Sequence, residues 1–255
     1  MTTRPEGAGR PEMPGLPEID VREWGGKKEG ERQVLDRRMF FQLCVFDAEG
    51  AKTDERHTLW ARLTKEGVAS VGYDDLNAPS RVGLLTWSER PEALHDVQPI
   101  VRAELVHRGW RQCHELTMLG RTYSLGHEPE LEHALLRRPV EYALHEGWDW
   151  HVWYPLRRNG AFERLEKHDQ GIILREHASI GMAYGKADLA HDVRLACHGL
   201  DAGDNEFVIG LIGKDLHPLS HVVMAMRHTR QTSEFIAKMG PFFVGRVVHR
   251  CAGTP

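Results

Sequence analysis

Apolar residues fall in short runs between turn-rich polar stretches, and their spacing switches between a period of two and a period near 3.6 along most of the chain. Residues 39–47, MFFQLCVFD, predict a buried strand that ends at Glu49-Gly50. From His57 to Lys65, Leu59, Trp60 and Leu63 recur at helical spacing until Gly67 stops the pattern. Val68–Tyr73 and Val82–Trp87 predict two strands flanking the turn-rich DDLNAPSR. Pro91 opens a helix to about Ala103, and Gln112–Leu119 predicts a further strand. That order, β-α-β-β-α-β, is the split βαβ or ferredoxin-like unit.

The second half repeats the order without repeating the residues. Trp150–Leu156 predicts a strand, Phe162 to about Ile180 a helix, Asp192–His198 and Glu206–Ile212 two strands, Leu216–Arg227 a helix and Phe242–Val248 a last strand. The fold class is therefore α+β: two ferredoxin-like βαββαβ halves whose sheets join into a dimeric α+β barrel within one chain. The halves are expected at residues 35–145 and 146–255. Residues 1–34 hold four of the 13 prolines, several glycines and many charges with little apolar periodicity, and are expected to be a flexible tail.

Composition narrows the function classes. The net charge of −4 over 255 residues gives no general attraction to phosphate backbones, so nucleic acid is not an expected partner. No apolar run approaches the roughly 20 residues that cross a bilayer, and the N-terminal stretch does not read as a secretory signal, so a cytoplasmic protein without membrane attachment is expected. Cys44, Cys113, Cys197 and Cys251 are isolated and read as reduced thiols. No HExxH, GxSxG, GxxxxGK or strand-following GxGxxG is present, which removes zinc hydrolysis, the serine elbow and nucleotide loops.

The 16 histidines are the one compositional oddity. His177 differs from the rest because Ile173, His177 and Ile180 lie on the helical stripe that should face the sheet. A buried imidazole needs a polar partner or a metal, and the spacing alone leaves both open. His198 falls on a predicted strand, and His217, His221 and His228 run along a helix that water can cover.

Four segments, WYPLRRNG (153–160), LREHASIG (174–181), MRHTRQTSEF (226–235) and GPFFVGRVV (240–248), resemble in this order the chlorite dismutase and coproheme decarboxylase superfamily. The resemblance runs from about Asp36 to Val248 and is strongest in the second half. It implies two ferredoxin-like halves with an iron porphyrin, heme b or coproheme, in the C-terminal half. His177 matches the family's proximal iron ligand. Arg194 matches the distal arginine if an insertion is placed near residues 183–190; by its residues alone it could equally be a strand arginine paired with Asp192 or Asp201. Tyr154 opens YPLRR, similar to the family's YPMSK, whose tyrosine forms the radical in coproheme decarboxylases; read alone, it is a strand aromatic. Arg158 stands where that motif has a propionate-binding lysine, a change that keeps the charge. The family's carboxylate partner of the proximal histidine is missing: the matching stretch reads Arg230-Gln231-Thr232, placing Gln231 near the porphyrin, with Glu234 about one turn away.

The implied functions are a heme-dependent oxidoreductase acting on chlorite, a peroxide or another small oxyanion, with Arg194 and Tyr154 catalytic; a coproheme decarboxylase relying on Tyr154; or a heme-binding or transfer protein without turnover. An arginine at the distal position favours the first. A homo-oligomer, a pentamer, is implied by the resemblance alone.

Overall fold

The computed structural model describes residues 16–49 and 53–254. Eight strands close into a barrel. In the N-terminal half these are β3 (Phe40–Asp47), β4 (Ser70–Asp75), β5 (Arg81–Ser88) and β7 (Met118–Arg121); in the C-terminal half, β8 (Trp150–Arg158), β9 (His191–Ala196), β10 (Phe207–Gly213) and β12 (Phe243–Cys251). Each half has the spatial order fourth-first-third-second, β7-β3-β5-β4 and β12-β8-β10-β9. The second strand of each half pairs with the fourth strand of the other. The β4·β12 seam has pairs from Asp75↔Gly245 to Ser70↔Cys251, whereas β7 and β9 share the single pair Arg121↔Ala196.

Alternation along the strands sorts side chains into two layers. Phe41, Leu43, Val45, Tyr73, Leu85, Trp153, Val193, Val208, Ile212 and Phe243 fill the barrel interior. Outside the N-terminal half, Phe46, Val82 and Leu84 meet α1 (Thr53–Lys65) through Leu59, Trp60 and Leu63, and α2 (Pro91–Arg108) packs Val97, Ile100 and Val101 on the same cluster. Outside the C-terminal half, Val152, Tyr154, Leu156, Ile209 and Leu211 meet α4 (Lys167–Lys186) and α5 (Leu216–Arg227) through Ile180, Tyr184, Leu219 and Val222. No helix among the described residues is long and apolar enough to cross a membrane.

Several boundaries differ from the sequence expectation, each for a local reason. Part of the expected tail is ordered: β1 (Glu23–Lys28) and β2 (Glu31–Leu35) form a hairpin whose turn residues Glu29 and Gly30 both take positive φ, 54° and 90°. Glu23, 9% exposed, ties it to the barrel by accepting from Arg121 Nη1 at 2.9 Å and the Ser124 amide at 2.9 Å. Residues 1–15 of that expected tail lie outside the described residues. The expected strand at 112–119 is split into β6 (Arg111–Gln112), a 3-10 turn at His114–Leu116, and β7. The helix expected from Phe162 begins only after Glu166, whose extended backbone (ψ 146°) separates α4 from a 3-10 turn at Phe162–Arg164, and then continues to Lys186. The π-helical turn His133–Arg137 leading into α3 (Arg138–Leu144), the short α6 (Arg230–Phe235) and β11 (Ile236–Met239) carry too little periodicity to be read from sequence.

Candidate functional site

Strand pairing assembles the candidate residues across the outer face of the C-terminal half. Tyr154 pairs with Ile209 and Ile209 with Arg194, so the three side chains form one row over β8, β10 and β9. The neighbouring row is Val152, Leu211 and Asp192. Both rows lie on the face covered by α4 and α5.

Tyr154 is 6% exposed and stacks on Phe242, centroids 4.6 Å apart. Burial raises its phenol pKa above the usual range, and the charge of Asp192 adds to the effect. Arg194 is half-buried and bound through Nε to Asp192 Oδ2 at 2.9 Å, the pairing that its sequence alone had left open. Its guanidinium is thus partly neutralised by its own strand neighbour.

His177 is half-buried on α4, near enough to Asp192 and Arg194 to feel both charges, while loss of solvent pulls its pKa below the ordinary histidine value. Its Nδ1 lies 3.2 Å from Thr229 Oγ1. Thr229, 2% exposed, is the N-cap of α6 and donates its hydroxyl proton to the Met226 carbonyl at 2.7 Å. That carbonyl can only accept, so toward His177 the threonine oxygen is the acceptor and Nδ1 carries the hydrogen. In the neutral ring Nε2 is then left with the lone pair, and it has no hydrogen-bond partner among the described residues.

The other expected contacts are placed differently. Gln231 does not bond to His177: the cap residue two positions earlier is the histidine's partner, because the Thr229 side chain folds back over the start of α6. Gln231 Oε1 is instead buried without a protein partner. Arg158 is engaged by two carboxylates, Glu163 at 3.1 Å and Glu206 at 3.4 Å, and its guanidinium lies over the rings of Phe162 and Phe207. A propionate there would compete with both acids.

A cavity of about 480 Å³ opens between α5 and the β8–β12 edge, lined by Val152, Leu219, Val223, Phe242 and Val244 with Arg227 among its polar residues. His177 and Arg194 do not line it. Arg227 was not singled out by sequence, yet it borders this cavity and its charge reaches Tyr154. Its only sequence signal is its place in the MRHTRQTSEF segment. This donor set fits an iron porphyrin: one unengaged imidazole nitrogen, an apolar bed of Val152, Ile209 and Leu211, and a cationic side chain suited to a peripheral carboxylate.

The chlorite dismutase family model matches residues 84–248, more than half of the chain. No protein of curated function matches. Among solved structures, TA0507, provisionally assigned as a chlorite dismutase, superposes with a TM-score of 0.66 at 16% identity, covering 83% of this chain and 95% of its own. A heme-binding protein from Thermus thermophilus gives a TM-score of 0.64 at 16% identity, covering 85% and 93%. The chlorite dismutase of Candidatus Nitrospira defluvii in complex with imidazole gives 0.62 at 13% identity, covering 84% and 92%. At these identities the structures speak for the shared fold, while the sequence match across both halves carries the assignment: the chain belongs to the chlorite dismutase family.

Proposed function

We propose that the chain is a heme-binding oxidoreductase that takes a peroxide or a small oxyanion such as chlorite as its oxidant, with His177 as the axial ligand. The observation that carries this reading is the His177 imidazole, whose Nδ1 hydrogen is committed to Thr229 and whose Nε2 lone pair is left unengaged. The heme-binding protein and the chlorite dismutase that share the fold support the same cofactor class. Heme b or coproheme would supply the redox chemistry. The chain's residues do the rest: His177 binds, the apolar bed of Val152, Ile209 and Leu211 excludes water, and Arg194 offers a fixed cation for an anionic oxidant once Asp192 yields it. The likeness to the family extends the proposal to a homopentamer.

A second reading, decarboxylation of coproheme to heme b, is favoured by one specific pair of observations. Tyr154 is buried in the same cross-strand row as Arg194, and Arg194 is already paired with Asp192, which weakens its pull on an oxyanion.

Titrating the purified protein with heme b and with coproheme, followed in the Soret region, tests the shared core of both readings. His177→Ala is expected to lower affinity at least tenfold and to change the axial-ligand spectrum; an unchanged spectrum and affinity overturn the assignment. The two readings separate on Arg194→Gln and Tyr154→Phe. Loss of dioxygen release from chlorite by about a hundredfold or more in the arginine variant, at unchanged melting temperature, supports the oxyanion reading. Peroxide-dependent loss of two carboxyl groups from coproheme that stops in the tyrosine variant supports the second.

A further inference from the structure

We infer that Thr229 is the positioning residue of the axial histidine: it fixes the hydrogen on His177 Nδ1 and directs Nε2 outward as the ligating nitrogen, without the carboxylate partner that would make an electron-rich ligand. This inference deepens the proposed function and rests on it for its consequence at iron, whereas the tautomer belongs to the protein alone.

Hydrogen counting fixes the direction of the relay. The Thr229 hydroxyl has one proton, and the nearest acceptor, the Met226 carbonyl at 2.7 Å, can take nothing else from it. That carbonyl lies in the last turn of α5, at the negative end of the helix dipole, and accepts the Thr229 amide at 3.1 Å as well as the hydroxyl. The threonine oxygen is then turned toward His177 Nδ1 at 3.2 Å as an acceptor, with the Thr232 amide as a second, weaker donor at 3.4 Å. Thr229 is 2% exposed, so water does not compete freely for these positions. Partners on the far nitrogen of a ligating histidine set its ring orientation and its basicity. A hydroxyl oxygen accepts the Nδ1 hydrogen without drawing the proton away, so the ring gives iron less electron density than a carboxylate-paired one and leaves the ferrous state easier to reach.

Three substitutions test the assignment in the full chain. Thr229→Ser keeps the hydroxyl, Thr229→Asp keeps the α6 cap while supplying a carboxylate, and Thr229→Val removes the acceptor. Nitrogen-15 spectra of the metal-free protein, with His177 assigned by difference against His177→Gln, are expected to show the Nδ1–H tautomer in the parent and the serine variant and a mixture in the valine variant. With heme bound, Thr229→Val is expected to weaken affinity tenfold to a hundredfold. Thr229→Asp is expected to raise the ferrous iron–histidine stretching frequency and to move the midpoint potential negative. An unmixed tautomer in Thr229→Val, or an aspartate variant with the parental stretch and potential, overturns the inference. Should heme fail to bind through His177 at all, the proposed function fails while the metal-free spectra still decide whether Thr229 sets the tautomer.

Discussion

His151 lies wholly inside the barrel, its Nε2 3.2 Å from the Trp148 carbonyl and its Nδ1 2.8 Å from the Tyr73 hydroxyl. The carbonyl must receive Nε2–H, so Nδ1 accepts from tyrosine and the ring is neutral. Burial, with a smaller push from the Arg250 charge, lowers its pKa to about 3. Between about 3 and the ordinary value near 6.5 the unfolded chain holds a proton there that the folded chain does not. Stability from this group is therefore complete above the unfolded pKa and drains away as pH falls through that window, at up to about 1.4 kcal/mol per pH unit. Urea unfolding at pH 7, 6 and 5 should show His151→Gln less stable at neutral pH but with a shallower acid dependence; parallel slopes would reject a neutral buried His151. No sequence pattern marks this residue, because WHVWYPL reads the same whether its histidine faces the interior or the helices. His177 was readable from its stripe and its motif together. Thr229 was not: in the sequence it is only a helix cap, and its second contact spans the distance between α4 and α6.

At the scale of elements, strands were the most legible because each carries one face of large apolar residues. What alternation does not report is where a strand must be empty. Gly210 pairs with Trp153 across β10 and β8, and a Cβ on it would come within 2.5 Å of the indole ring. Gly83 makes the same allowance for Phe243, where a Cβ would also meet the ring at 2.5 Å. These glycines are the space into which the interior rings fit. Gly210→Ala is expected to cost about 1–3 kcal/mol through overpacking, read as a lower urea midpoint at unchanged slope. Pairing it with Trp153→Leu should recover part of the loss; two losses that simply add would show that the ring is not what the methyl strikes. The hairpin β1–β2 escaped the sequence reading because Glu-Gly is a weak statement of a turn that Asn-Gly would have announced.

The repeated β-α-β-β-α-β order was visible in the sequence, and with it the idea of a closed barrel, but not the inequality of the two joints between the halves. That inequality depends on backbone register, which no side-chain pattern specified. Each half on its own would carry two bare strand edges: β9 and β12 in residues 146–255. Open edges recruit other chains. Residues 146–255 expressed alone should therefore associate or precipitate, as followed by light scattering; a monodisperse, folded monomer would mean that the closed sheet is not needed to protect those edges.

The two joints also give the N-terminal hairpin a meaning beyond its own two strands. The weaker joint rests on the Arg121↔Ala196 pair, and the guanidinium of that same arginine is held by Glu23 of β1. The hairpin thus braces the N-terminal side of that joint, holding the strand end that supplies Arg121 from outside the sheet. Arg194, two residues from Ala196, lies along the strand that this joint secures. A segment with no chemistry of its own thereby steadies β7, the partner of the strand that carries Arg194.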